Sequence, residues 1–460
     1  LNECEWYEHP VFNKSKNGKV AKTEFTHFHG CVPKIRTTNP NRKCLNLLTF
    51  VTMNSSTTNH FIELENQYGA HNYHPLPVVL SKGKGVFVWD VDGKRFFDFL
   101  SAYSAVNQGH CHPKIIAALQ HQSERITLTS RAFHNDQLGP FEKYITELLG
   151  YDRVLPMNTG VEGGETAIKL ARKWGYQVKG IPANQAKIGF ASGNFWGRTI
   201  AAISTSQDID SYGDFGPFVP GFEIVPYNDL EALDRLLQNG DVAAFMVEPI
   251  QGEAGVIVPD DDYLKGVRSL CNKYNVLFIA DEVQTGLGRT GKMLCCDHAD
   301  IKPDILVLGK ALGGGVFPVS AVLTSDEVMN VLHPGQHGST FGGNPMACAV
   351  AMASLKVLVD ENLIDNAAAM GEVFRENLRN IASPIISEVR GKGLLNAIDI
   401  LPFGNGKTAY DVCLALKDNG LLAKQTHTHT IRFAPPLTIT KDEIQKASEI
   451  ISNTIREIAK

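Results

Sequence analysis

The chain has 460 residues, a formal net charge of −5 and 43% apolar residues, enough length for a large core and for more than one domain. No apolar run reaches the length of a membrane-spanning helix, and the slight acidity leaves no electrostatic footprint for nucleic acid or an anionic membrane surface. The nine cysteines are scattered, with Cys295 and Cys296 adjacent and no CxxC pair, so neither a disulfide framework nor a zinc site is expected and a reducing compartment fits.

Between His9 and His60 the only acidic residue is Glu24, against Lys14, Lys16, Lys19, Lys22, Lys34, Arg36, Arg42 and Lys43. Basic, acid-poor composition of this kind reads as a mitochondrial transit segment; a disordered leader is the other reading. Folding signals begin near Phe61. The apolar runs Val86 to Trp89 and Arg95 to Phe99 flank the turn Asp90-Val91-Asp92-Gly93 and predict two strands. From His112-Pro113 onward, and again over Phe141, Ile145 and Leu148-Leu149, apolar residues recur at helical spacing.

From about residue 150 to 320 the pattern alternates between strand and helix. Strands are predicted at Lys187 to Ala191, Val242 to Val247, Val276 to Ala280 and Ile305 to Leu308, with helices at Glu162 to Trp174, Leu230 to Leu237 and Tyr263 to Tyr274. Short apolar strands separated by crossover helices imply an α/β fold with a mainly parallel sheet covered on both faces. Beyond Pro345, helices are predicted at Met346 to Val359 and Asn362 to Ile381. Strands follow at Ile385 to Val389, Leu394 to Ile398 and Ile431 to Ala434, and a last helix opens on a capping box at Thr440-Lys441-Asp442-Glu443. The expected organisation is a leader over 1–60, a segment over 61–100 contributing to a smaller domain, a large domain over 101–345, and a smaller α+β domain over 346–460.

Two predicted strands end in groups their apolar flanks do not need: Asp281 and Lys310. In one parallel sheet both would open on the edge where α/β proteins place ligands, giving an amine and a carboxylate suited to an imine-forming cofactor with a protonated ring nitrogen. A helix cap and a solvated strand-end charge explain the same two residues, and spacing alone does not decide. Asn158-Thr159-Gly160-Val161-Glu162 opens a helix whose first amides, with the Thr159 hydroxyl, suit a phosphate; a plain cap explains it as well. It is neither GxGxxG nor GxxxxGK[ST], which argues against a dinucleotide or a nucleoside triphosphate.

Phe195 lies just beyond a strand end, where an aromatic can stack on a planar cofactor, with Arg198 beside it placed to fork onto a carboxylate; core packing is the commoner reason for an aromatic, though it accounts poorly for the arginine. Arg432, in the apolar run Ile431-Arg432-Phe433-Ala434, needs a carboxylate partner if buried, and Glu253 is the candidate; a surface-edge arginine is the alternative. His337 to Pro345 forms a glycine-rich, hydroxyl-bearing bend that can finish a phosphate site. His110, His112 and His337 lack metal-ligand spacing, so no metal is expected.

With these residues in place, the chain resembles the class-III aminotransferases of the fold-type-I pyridoxal-phosphate enzymes, and within them the branch that uses ornithine. The resemblance rests on GAHNYHPLPVVL (69–80), SAYSAVNQGHCHPKI (101–115), MNTGVEGGETA (157–167), NFWGRT (194–199), VEPIQGEAGVIVP (247–259), ADEVQTGLGRTGK (280–292), DILVLGKALGGG (304–315) and HGSTFGGNP (337–345), and runs from about Phe61 to the C-terminus. It implies pyridoxal 5′-phosphate as cofactor, linked to Lys310, with Asp281 at the pyridine nitrogen, Gln284 near the phenolic oxygen and Phe195 on the ring. Gly160 and Val161 would offer amides to the phosphate, and Thr340 would reach it from the other subunit of a homodimer.

The same resemblance implies transfer of the terminal amino group of L-ornithine to 2-oxoglutarate in the mitochondrial matrix, with the cytoplasm as the alternative location. Tyr73, Tyr103, Arg198, Glu253 and Arg432 would form the substrate pocket, Glu253 masking Arg432 in the amino-donor half-reaction. Gly164 and Gly313 stand where alanine and serine are usual, and Gln425 where proline is usual, which leaves the loop near Arg432 less defined.

Overall fold

The computed structural model describes residues 58–404 and 406–460, so the basic stretch read as a leader lies outside the described residues through residue 57. The predicted pair of strands forms as β2 (Phe87–Asp90) and β3 (Arg95–Asp98), antiparallel, with a preceding strand β1 (Leu80–Lys84) added on the outer side of β2. β1 was not anticipated: LSKGK is exposed along nearly its whole length, so it carries no apolar alternation to read.

The central sheet has seven strands: β4 (Arg153–Met157), β5 (Lys187–Ala191), β6 (Phe222–Val225), β7 (Val242–Val247), β8 (Leu277–Asp281), β9 (Ile305–Leu308) and β10 (Ser320–Thr324), in the order β4-β10-β9-β8-β7-β5-β6. Neighbours from β9 across to β6 run parallel, while β10 is antiparallel to both β9 and β4, so the sheet is mixed with a parallel majority.

Its central strands β7, β8 and β9 are apolar runs, broken only by Asp281 at the end of β8, because both faces are covered. Ala244, Met246, Ile279, Val307 and Val322 pack with Ile168, Leu170 and Trp174 of the helix Gly160–Trp174. The alternate residues Phe245, Phe278, Leu306, Leu308 and Leu323 belong to the opposite cluster, with Phe141 and Ile145 of Leu138–Leu149 and Leu355 of Pro345–Asp360.

The C-terminal portion contributes β11 (Ile386–Lys392), β12 (Leu395–Ile400), β13 (Leu421–Leu422), β14 (Lys424–Thr426) and β15 (Thr430–Phe433). Four of these make an antiparallel sheet in the order β11-β12-β15-β14, while β13 pairs in parallel with β3 and so joins the N-terminal meander. The last helix, Lys441–Ile458, starts on the predicted capping box: the Thr440 hydroxyl accepts from the Glu443 amide and the Glu443 carboxylate accepts from the Thr440 amide. Its buried Ile444, Ala447, Ile451 and Ile455 share a core with Phe374 and Leu378 of the helix Leu363–Arg379.

Candidate active site

The C-terminal ends of β5, β7, β8 and β9 converge on one edge. Asp281 is the last residue of β8, and Glu248 directly follows β7; since Val247 pairs with Ala280, the two carboxyl groups leave neighbouring strands side by side. Lys310 follows β9, and Asp281 is paired with Val307. These three groups, with Gly160, Val161, Phe195, Val283 and Gln284, line a cavity of about 220 Å³. The structure therefore brings together the lysine, aspartate, glutamine, aromatic and helix start that the sequence placed on separate segments.

Lys310 has φ 43, in the left-handed region, a strain of the kind held at functional positions. Burial pushes its amine below the ordinary lysine range, against the pull of the Glu253 and Asp281 charges. Asp281 is 6% exposed and accepts from the Val283 amide at 3.0 Å. Burial raises its carboxyl to about 6, with the Val283 hydrogen bond and Lys310 opposing, which leaves it ionised at neutral pH.

Gly160 permits a close approach, since a Cβ there would meet Val283 Cγ1 at 2.9 Å. The Thr159 hydroxyl is taken by a capping box with Glu162, and Thr159 does not line the cavity. The Gly160 and Val161 amides, at the first turn of the helix, have no intrahelical acceptor.

Beside this cavity lies a larger groove of about 730 Å³ lined by Tyr73, Tyr103, Phe195, Arg198, Glu253 and Arg432, among others. Arg432 is 2% exposed and buried with partners: Nη1 donates to Glu253 Oε1 at 2.9 Å and to Gln284 Oε1 at 3.0 Å, Nη2 to Glu253 Oε2 at 3.4 Å, and its guanidinium lies 4.9 Å from the centre of the Tyr103 ring. Burial works to raise the Glu253 carboxyl, but the charge and hydrogen bonds of Arg432 outweigh it and hold Glu253 below the usual range. The expected partnership of these two residues is thus present, and the surface-edge alternative for Arg432 falls.

Arg198 is exposed, with its guanidinium 5.6 Å from the Phe195 ring and Nη1 donating to Ser211 Oγ at 3.2 Å; no carboxylate pairs with it among the described residues. Tyr73 is 76% exposed at the groove mouth. Tyr103 sits on a turn in which Ser101, Ala102, Tyr103 and Ser104 all have positive φ. Thr340 is exposed and lines neither cavity of its own chain. Gln425, the departure near Arg432, lies in β14 opposite Ile431 and also lines the groove.

Glu248 was not singled out by the sequence. It is 6% exposed, and burial followed by the charge of Asp281 raises its carboxyl to about 8. The available signal was an acid directly after an unbroken apolar strand, the same pattern that marked Asp281 and Lys310.

Residues 68–455 match the family model for aminotransferase class-III. The mitochondrial ornithine aminotransferase of Drosophila melanogaster is 64% identical over 392 residues, covering 85% of this chain and 90% of that protein. Among solved structures, an ornithine aminotransferase from Toxoplasma gondii, with PLP at partial occupancy in its active site, superposes with a TM-score of 0.86 at 51% identity, covering 87% of this chain and 95% of that one. An acetylornithine aminotransferase from Elizabethkingia anophelis superposes with a TM-score of 0.81 at 55% identity, covering 88% of this chain and 100% of that one.

Proposed function

The chain belongs to the class-III aminotransferases, and from that premise we infer that it moves the terminal (δ) amino group of L-ornithine to 2-oxoglutarate in two alternating half-reactions, giving L-glutamate 5-semialdehyde and L-glutamate. Such an activity links arginine and ornithine metabolism to that of proline and glutamate. The observation that carries the reading is the buried Arg432–Glu253 pair in a groove shared with Arg198 and adjoining the Lys310 cavity. One arginine is free for a carboxylate and the other is masked, as an enzyme needs when it must admit a diamine donor and a dicarboxylate acceptor in turn.

The cavity fits pyridoxal 5′-phosphate: a buried lysine amine, a buried carboxylate, an aromatic ring and a helix start with free amides line one space. When bound, the cofactor supplies the electron sink that lets a proton leave the carbon bearing the amino group. Lys310 is the residue that would hold it covalently, and burial, by disfavouring the charged ammonium, favours the neutral Nζ that can take that proton and return it. Asp281, raised to about 6 and so mainly ionised at neutral pH, would keep a proton on the ring nitrogen. Phe195 would pack on the ring, Gln284 would stand near the phenolic oxygen, and the Gly160 and Val161 amides would receive the phosphate.

Thr340, exposed on its own chain, is assigned to the phosphate site across the interface of a homodimer. For ornithine as donor, Arg198 and Tyr73 hold the α-carboxylate end, leaving the δ-amine at Lys310 while Glu253 neutralises Arg432. For 2-oxoglutarate, Arg432 takes the α-carboxylate and Arg198 the distal one, with Glu253 displaced. Tyr103 lies against the Arg432 guanidinium and shapes the space between.

The mitochondrial matrix is the proposed location, supported by the basic, acid-poor composition of residues 1–60 and by the mitochondrial Drosophila relative. A reporter fused to residues 1–60 should reach the matrix; a uniformly cytosolic reporter speaks for the cytoplasm. The activity is tested by incubating the holoenzyme with 2-oxoglutarate and, in parallel, L-ornithine, N-acetylornithine or 4-aminobutyrate, and measuring glutamate and semialdehyde. Ornithine should give the highest kcat/KM, and a higher value for N-acetylornithine would move the chain to the acetylornithine branch.

A further inference from the structure

Glu248 is a buried carboxyl that none of the steps above uses, although it lines the same cavity as Lys310 and Asp281. Its two oxygens face two different loops. Oε1 accepts from the backbone amide of Phe195 at 2.9 Å, and Oε2 from the backbone amide of Gly252 at 3.4 Å. Phe195 belongs to the loop after β5; Gly252 begins the tight turn after β7 that presents Glu253 to Arg432.

The surroundings favour this double role. Tyr227 donates to the carbonyls of Glu248 at 3.3 Å and of Pro249 at 3.0 Å, so the backbone carrying the carboxyl is fixed from outside the cavity. Gln251 Nε2 donates to the Ser192 carbonyl at 2.7 Å, a second tie between the same two loops. At Gly252 a Cβ would come within 2.4 Å of the Gln284 amide group, so the turn lies directly against the residue that also bonds Arg432. Glu253 closes the arrangement by accepting from Gln284 at 3.3 Å and from Arg432 at 2.9 Å. A shift of the Gly252 amide therefore moves Glu253 relative to Arg432, and a shift of the Phe195 amide moves the aromatic wall of the cavity.

We infer that Glu248 is a positioning residue that couples the ring-packing Phe195 to the Glu253–Arg432 gate, so that one side chain sets both cofactor retention and the choice between ornithine and glutamate as amino donor. This rests on the gate proposed above and adds a residue that acts through backbone amides, not through substrate. The two oxygens also make the two effects separable. In Glu248→Gln the amide oxygen can keep the shorter bond to Phe195, while the amide nitrogen, a donor, faces the Gly252 N–H and cannot accept from it. In Glu248→Ala both bonds are lost.

Two measurements on the holoenzymes test this: the rate at which pyridoxal 5′-phosphate is lost on dialysis, followed by its absorbance band, and the single-turnover rates with ornithine and with glutamate. Glu248→Gln should lose cofactor within about twofold of the parent rate, while its glutamate-to-ornithine ratio rises by about fivefold, the worth of one modest hydrogen bond. Glu248→Ala should show the ratio change and in addition lose cofactor about tenfold faster. A parent-like donor ratio in Glu248→Gln overturns the coupling, as does cofactor loss in Glu248→Gln equal to that of the alanine variant. If the parent itself fails to turn over ornithine, the proposed activity falls, and the difference in cofactor loss between the two variants still decides whether Glu248 holds Phe195. Should the alanine variant not fold, the glutamine variant decides alone.

Discussion

Replacing Glu253 with alanine leaves Arg432 in a pocket where it is 2% exposed and keeps only the Gln284 carbonyl at 3.0 Å and the Tyr103 ring at 4.9 Å. Removing one partner of a fully buried ion pair costs about 3–5 kcal/mol. Here the Glu253 side chain is 27% exposed, so water can enter the vacated space, and Gln284 still accepts one guanidinium hydrogen; the expected cost falls to about 2 kcal/mol. A substrate carboxylate that reaches Arg432 can recover that free energy, whereas ornithine, bound with its carboxylate at Arg198 and its δ-amine at Lys310, brings no carboxylate there and cannot. Glutamate as amino donor should therefore gain over ornithine by up to about 30-fold in the ratio of single-turnover rates. Stopped-flow absorbance of the holoenzyme mixed with each donor gives the two rates directly. A ratio within about twofold of the parent, accompanied only by a lower thermal midpoint, would mean that Glu253 serves the fold and not substrate choice.

Borohydride reduction of the holoenzyme followed by peptide mapping should place the label on Lys310, and Lys310→Ala should lower turnover by about 10²–10⁴-fold, the range of a lost acid–base group; label on another lysine of an active preparation refutes the assignment. Thr340→Ala should speed cofactor loss while leaving the single-turnover donor ratio unchanged, and light scattering should find a dimer; an active monomer at assay concentration rules out a shared phosphate site. Glu248 and Asp281 are raised to about 8 and about 6, so the folded cofactor-free chain holds protons that the unfolded chain has released, and their contribution to stability is lost as pH rises from about 4 to 8. Burial sets most of the Glu248 shift, reinforced by the charges of Asp281 and Glu253 and opposed by the Phe195 amide and Lys310. Glu248→Gln, which cannot ionise, should therefore gain in thermal midpoint relative to the parent on going from pH 5 to pH 8.5, and a constant difference across that range refutes the buried-acid account.

What could be read in advance follows a physical line. β5, β7 and β9 are legible to the residue because both faces of the central sheet are covered: VAAFMV and ILVL are unbroken apolar runs, and KIGFA carries no polar side chain after its first residue. β4, β6 and β10 are not predicted: RVLPM and FEIV are short edge strands, only partly buried and the first with an interior proline, and the antiparallel direction of SAVLT is set by its neighbours β9 and β4 and not by its own residues. Lys310, Asp281 and Arg432 were legible because a charge among apolar neighbours is costly unless something compensates it, so its presence demands a partner or a ligand. Other residues that shape the site escape that logic. The left-handed turn over Ser101–Ser104 contains no glycine to announce it, yet it sets where Tyr103 meets Arg432. Arg289, fully buried, donates to the Leu394 and Pro435 carbonyls and to Asn107 Oδ1, and so joins the loop after β8 to the segments that carry Arg432 and Tyr103; its partners are mostly backbone atoms remote in the chain. Glu248 is the same case at the centre of the site, since what it satisfies are the N–H groups of Phe195 and Gly252, which every residue but proline carries. Groups that meet the substrate differ in kind from their surroundings, whereas groups that position them bond to features common to all residues, and only the folded chain shows which of those they reach.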